Sequence, residues 1–195
     1  MDGLQFFLQQ YDFLHSAVEG TILSGLTETQ MRHHPQQGQN SVAWLVWHVA
    51  RWEDFMITLL DSEPQQLFDR EDWLGRMQLT RRDAGTAMTY EEAVALSIQI
   101  DLTALGRYRQ EVGRRTRAVA QAFDPKRLDA AIDAERLRHH FADGILGSEQ
   151  AGWVEQLFAD RTNAWLLSFV NIHMVEQLIG EASCVRSLGG FGLGL

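Results

Sequence analysis

Residues 40–60 read Asn40-Ser41-Val42-Ala43-Trp44-Leu45-Val46-Trp47-His48-Val49-Ala50-Arg51-Trp52-Glu53-Asp54-Phe55-Met56-Ile57-Thr58-Leu59-Leu60. Apolar side chains recur in this stretch at three- and four-residue spacing, which predicts one long helix with Asn40 or Ser41 as its N-cap. An α-helix turns about 100° per residue, so Trp44, Trp52, Phe55 and Leu59 fall within about 40° of His48 on the wheel. The imidazole therefore lies in the middle of the most aromatic stripe of the chain. A buried polar group left alone costs roughly 1–3 kcal/mol, so His48 needs a partner. A carbonyl, a carboxylate and a metal ion all suit it.

The same periodicity extends on both sides. A first helix is predicted from about Leu4 to Ser24, followed by a connection over residues 25–39 with a short turn at Glu28–Arg32. Residues 61–88 form a long link with a short helix near Glu71–Met77, and a link that long inside a compact domain packs over something. Thr89 and Glu92 make a capping box for a third helix that ends before Asp124-Pro125. Residues 126–160 are mixed, with short helices near Ala134–Phe141 and Gln150–Phe158. Thr162 caps a last helix from about Asn163 to Ser187, which Gly189-Gly190 stops. The three prolines, Pro35, Pro64 and Pro125, all lie in junctions. Alternating strand patterns are nearly absent. Four long helices with two long links predict an all-α four-helix bundle with crossover connections, formed by one domain over residues 1–195.

With 195 residues and 45% apolar composition, the chain is long and hydrophobic enough to build a real core. No run approaches the roughly 18 uncharged apolar residues of a membrane span, and no secretory signal is evident at the N-terminus. The single cysteine, Cys184, excludes an internal disulfide framework, and a cytoplasmic location follows as the default. A net charge of −9 argues against nucleic-acid binding, which needs a basic patch. The cluster Arg107, Arg109, Arg114, Arg115 and Arg117 reads instead as a solvated helix face.

His173 on the last helix is the second informative imidazole. Leu166, Phe169, Gln177, Gly180 and Cys184 fall within about 40° of it, with Glu181 partly on that side. Inward side chains on facing helices are the way bundles build metal sites, and imidazole suits zinc, iron, nickel and copper. The pairs His33-His34 and His139-His140 lack the four-residue spacing that puts two imidazoles on one face. His15, beside Leu14, points either way. Cys184 reads as a packing cysteine and Trp44, Trp47, Trp52, Trp153 and Trp165 as core. No nucleophile elbow or phosphate-cradling glycine loop is present.

The stretch Asn40–Asp54 resembles the second helix of the DinB/YfiT-like family. Leu178-Ile179-Gly180-Glu181-Ala182, with Val185-Arg186 and Gly189-Gly190, is similar to that family's closing helix, and Asp83–Thr89 is similar to an intervening segment. The resemblance covers essentially the whole chain. It implies a down-up-up-down, left-handed four-helix bundle, often a homodimer. It also implies a divalent metal (zinc, nickel, iron or manganese) held by one histidine on the second helix and two, four residues apart, on the last. Relatives of this kind include mycothiol- and bacillithiol-dependent S-transferases and a mycothiol-dependent maleylpyruvate isomerase, so a low-molecular-weight thiol is implied as cosubstrate. His48 matches the second-helix ligand. The last-helix positions fall on Met174 and Leu178, which cannot replace imidazoles. His173 is one residue out of register, and its four-residue partner is Gln177. Either a local irregularity or a rotation of the helix recruits it, or the triad is broken.

Two functions follow. In the first, a metal at His48 and His173, completed by Gln177, Glu181 or water, activates a thiol or water toward a small electrophile, with Arg51 or Arg186 available to an anionic substrate. In the second, a metal-free bundle binds a small apolar molecule or a partner, or serves a structural or stress-response role, and His48 hydrogen-bonds to Glu176 or Glu181.

Overall fold

Ser41 starts the central helix: its hydroxyl accepts the Trp44 amide hydrogen, and the helix runs Val42–Leu60. The computed structural model describes residues 2–146 and 153–192. Around this helix, called α3, the order is α1 (Gly3–Ala17, continued by a π-helical segment Val18–Leu23), α2 (Glu28–Met31), α4 (Leu67–Arg70), α5 (Trp73–Arg76), α6 (Tyr90–Gln99) and α7 (Leu102–Ala122). There follow α8 (Ala134–Ala142), α9 (Trp153–Phe158), α10 (Asn163–Ser168), a π segment Phe169–His173, and α11 (Met174–Leu188). Among the described residues the only β-type pairing is an isolated antiparallel bridge, Ala131 with Thr162. The fold is all-helical, and no described helix is long and apolar enough to cross a membrane.

Every residue of Val42–Leu60 except His48 is buried. A helix buried on all sides belongs in the middle of a domain, and α3 packs against both α7 and α11, while α1 touches the same two helices. Trp47, Phe55, Met56 and Ile57 are essentially sealed, each contributing about 1.5–3 kcal/mol of burial.

The polar residues of this helix's far side are buried too. Tyr11 and Thr116 donate hydrogen bonds of 2.6 and 2.7 Å to Glu53 Oε1, which joins α1, α3 and α7. Burial pushes the Glu53 carboxyl up and the Tyr11 phenol well above its usual range. Asp54 accepts the backbone N–H groups of Leu67 and Phe68 at 3.0 and 2.8 Å and the Tyr108 hydroxyl at 2.9 Å. Arg115 and Arg51 supply the countercharge at 3.3 and 3.7 Å. Asp54 thereby serves as the anchor for the link over residues 61–88, whose Leu67, Phe68, Trp73 and Met77 are buried. The link is core cover over most of its length, with two short helices in place of the one expected at Glu71–Met77.

The third predicted helix is two. Ile100 turns extended (ψ 131°) and Asp101 caps a new start by accepting the Ala104 amide hydrogen at 2.8 Å. A helix end leaves carbonyls without partners. Arg32 answers them, donating from one Nη1 to the carbonyls of Ser97, Ile98 and Ile100 at 2.7–3.0 Å. The break depends on an arginine more than sixty residues away in sequence, so periodicity does not reveal it. The expected helix Gln150–Phe158 is present from Trp153; its predicted start at Gln150 lies outside the described residues.

Candidate functional site

His48 is the residue of α3 left accessible, and it sits where the sequence pattern put it. Trp44 stacks on its ring (centroids 4.5 Å, planes 13° apart) and Trp52 meets it edge-on at 6.4 Å. Its Nδ1 lies 2.5 Å from the Ala84 carbonyl oxygen. A carbonyl only accepts, so Nδ1 carries the proton and donates. In the neutral ring this leaves Nε2 with a bare lone pair. Burial drives the imidazole pKa down to about 4, against the opposing pull of the Ala84 hydrogen bond and of Asp83. Near neutral pH His48 is a fixed, uncharged acceptor.

The loop that fixes it is itself held from both ends. The Ala84 N–H donates to the Ile145 carbonyl at 2.9 Å. Asp83 Oδ1 accepts the Gly85 amide hydrogen at 2.7 Å and pairs with Arg81. Gly85 has φ +82°, and a Cβ there would lie 2.6 Å from the Trp47 ring. Only glycine lets the loop come this close to α3 in that conformation.

The facing wall comes from the last helix. Its α-helical turns are interrupted by the π segment Phe169–His173. A π turn takes one residue more than an α turn, which changes the facing of everything beyond it. The result is that His173, Met174 and Gln177 all line the cavity that His48 lines, whereas Leu178 is buried in the core. A run of neighbouring rings links the lining residues Trp52, Phe158, Phe169 and His173 through Trp165 behind them, with centroids 4.7–6.4 Å apart. The cavity holds about 330 Å³, at the lower end of the roughly 300–1,000 Å³ of small-molecule pockets.

The expected site residues divide accordingly. His48, His173 and Gln177 share one cavity. Glu181 lies one turn further on; its Oε1 accepts the Gln177 amide hydrogen at 2.7 Å, and it lines an adjoining hollow with Gly38, Gln39, Asn40, Gln177, Gly180 and Cys184. Among the described residues no group of three His, Cys, Asp or Glu side chains is placed to hold a metal ion.

Several expectations are corrected. The partner of His48 is the Ala84 carbonyl and not Glu176 or Glu181. Arg51 is sealed in the core, donating to Gln66, Tyr108 and the Arg82 carbonyl, and Arg186 donates to the carbonyls of Ile22, Ser24, Phe191 and Gly192. Neither meets the cavity. Cys184 is exposed rather than packed. Trp44, Trp47 and Trp52 are core, as expected, with Trp44 and Trp52 also facing the cavity, whereas Trp153 is exposed at its edge. His15 turns inward, stacked on Tyr11 with its ring pKa pushed down to about 3 by burial and the nearby Arg109 and Arg117 charges. His34 joins Gln39 to Ser97. Sequence reasoning missed the cavity roles of Thr86, Met88 and Phe158 and the role of Ala84. The one available signal was the turn-forming Asp83-Ala84-Gly85, which marks a loop but not what it contacts.

A family model described as the DinB superfamily matches residues 11–174. Among solved structures, the chain is similar to a crystal structure titled as the conserved protein of a locus from Enterococcus faecalis. The two share 21% identity and a TM-score of 0.71, over 96% of this chain and 97% of that one. At that identity the likeness speaks for the fold alone. No curated protein matches the chain.

Proposed function

The chain belongs to the DinB superfamily, and from that premise we propose that it binds a small, largely apolar molecule between α3 and the last helix, with His48 Nε2 as the polar anchor. The observation that carries this reading is the Nδ1 bond to Ala84, because it leaves one bare acceptor nitrogen on a residue lining a cavity rich in aromatic and aliphatic side chains. Pockets of this composition take their affinity from the rings and their orientation from a few polar atoms. We further propose that α1, α3, α7 and the last helix form the family's left-handed down-up-up-down bundle. A homodimer, our third proposal, draws support from Phe6 and Phe13, exposed seven residues apart on one face of α1; sedimentation of the purified protein tests it.

Calorimetric titration with indole and with 1-methylindole tests the ligand reading. One net hydrogen bond corresponds to roughly threefold to tenfold in affinity, and indole is expected to bind tighter by that factor. His48→Phe should erase the difference while keeping the rings. Equal affinity of the wild type for both probes, or binding of neither, overturns the proposal.

A second reading is favoured by a separate observation: the π segment brings His173 and Gln177, four residues apart, to the cavity of His48. An imidazole whose Nδ1 donates to a carbonyl is arranged as metal-binding histidines are. His48 and His173, completed by Gln177 or water, would hold a divalent ion, which when bound lowers the pKa of a coordinated thiol or water; Glu181, in the adjoining hollow, stands outside this set. In this reading His48 and His173 bind, and the rings exclude bulk water from the reacting thiol. Metal content of tag-free protein, before and after incubation with zinc, nickel or manganese, tests it. About one ion per chain, lost in both His48→Ala and His173→Ala, supports the reading; no retained metal overturns it.

A further inference from the structure

Two unmet demands fall on consecutive residues of the loop that holds His48. The Met88 N–H donates to the Gly85 carbonyl at 3.2 Å, which closes a turn over Gly85–Met88. Its third residue, Ala87, has φ +62°, a left-handed conformation that such turns usually give to glycine or asparagine. Strain of that sort persists only where the surroundings impose it, and it gathers at ligand sites. Thr86, the residue before, lines the His48 cavity, yet its hydroxyl oxygen is buried without a hydrogen-bond partner. Among the described residues lining that cavity it is the one side-chain polar atom in this condition. A step of about 120° about Cα–Cβ carries a threonine hydroxyl to its next staggered position, and an unpaired buried hydroxyl is stabilised by an acceptor that meets it.

The indole donor nearby is already engaged: Trp44 Nε1–H donates to Met88 Sδ at 3.3 Å. The cavity therefore offers an acceptor, His48 Nε2, and a donor, the Thr86 hydroxyl. One loop sets both, because Ala84 holds the imidazole and Thr86 stands two residues on. The described residues lining the cavity include no Asp, Glu, Arg or Lys, so a charged ligand finds no counterion there.

We propose that this cavity binds a neutral aromatic amide, a lactam or carboxamide, whose N–H donates to His48 Nε2 and whose carbonyl oxygen accepts the Thr86 hydroxyl hydrogen. The proposal rests on the small-molecule reading above and adds the ligand's acceptor and its neutrality.

Four matched probes test it by calorimetry. Indole carries an N–H alone, oxindole an N–H and a carbonyl, 1-methyloxindole a carbonyl alone, and 1-methylindole neither. The carbonyl changes a probe's hydration equally whichever protein is titrated. The quantity to read is therefore the oxindole-to-indole affinity ratio, in the wild type and in Thr86→Val, which keeps the shape and removes the hydroxyl. That ratio is expected to fall roughly threefold to tenfold in the variant, the effect of one hydrogen bond, and to return in Thr86→Ser. The ratio of 1-methyloxindole to 1-methylindole should fall alike. Indole should bind Thr86→Val as it binds the wild type, which also shows that the variant is folded. A ratio unchanged by Thr86→Val assigns the carbonyl to another donor, such as the Asn40 amide, and overturns the proposal while the His48 pocket stands. An equal loss for 1-methylindole means that Thr86 acts through packing, and the proposal also falls. If none of the four binds, or if indole and 1-methylindole bind the wild type alike, the pocket reading fails and this one with it.

Discussion

His48 and Asp54 stand six positions apart on one helix, and the two are treated in opposite ways. Asp54 is wholly buried, and two backbone N–H groups, a tyrosine hydroxyl and two guanidinium groups converge on it. His48 has one partner and one bare nitrogen, in a cavity. The first arrangement ties α3, α7 and the 61–88 link together. The second holds a single acceptor still and leaves it open. A polar group inside a fold that has every bond it can make is architecture; one with capacity left over, rigidly held beside a cavity, is where binding is to be sought.

The largest test of this contrast is Asp54→Ala. It leaves buried guanidinium groups and two backbone donors without an acceptor, and it should cost about 3–5 kcal/mol in denaturant unfolding, the usual penalty for breaking a buried pair. A loss below about 1 kcal/mol would mean that water replaces the carboxylate, and the network would no longer count as architecture.

A smaller effect should appear with pH. The folded-state pKa of His48, about 4, lies below its ordinary value of 6.5. The unfolded chain therefore binds the proton first, and the His48 contribution is fully present above pH 6.5 and is lost as pH falls from there toward about 4. Unfolding curves of the wild type and of His48→Phe should diverge over that window, with the wild type losing stability relative to the variant as acid is added. Parallel curves would show that the ring is not held neutral by its surroundings.

The smallest expected effect is at Cys184. Its thiol is exposed beside Glu181, so Cys184→Ser should change unfolding free energy by no more than about 0.5 kcal/mol. A loss of 1 kcal/mol or more would put the thiol back in the core.

Much of the scaffold was legible in the chain. The caps Ser41, Thr89 and Thr162, the boundaries of the helix carrying His48 and the glycines closing the last helix follow from hydrogen bonds spanning three or four residues. The neighbours of His48 along its own helix were legible for the same reason: Trp44 and Trp52 are one turn away in each direction, and the wheel puts them beside the ring. His173 and Gln177 could be placed on one face, four residues apart.

What the sequence by itself determined is therefore what local geometry controls: an all-helical chain, the position of its long helices, and an imidazole inside an aromatic stripe. Tertiary structure alone decided the rest. The division of the third helix at Ile100–Asp101 is stabilised by Arg32, far back in the chain. The tautomer of His48 is set by a carbonyl thirty-six residues on. That His173 and His48 line one cavity depends on a π turn within one helix and on the packing of that helix against another. Helical periodicity reports which residues share a face, because the pitch is the same everywhere. It carries no information about which loop will arrive opposite that face, or where a helix will give up its α turns to let two side chains share one cavity.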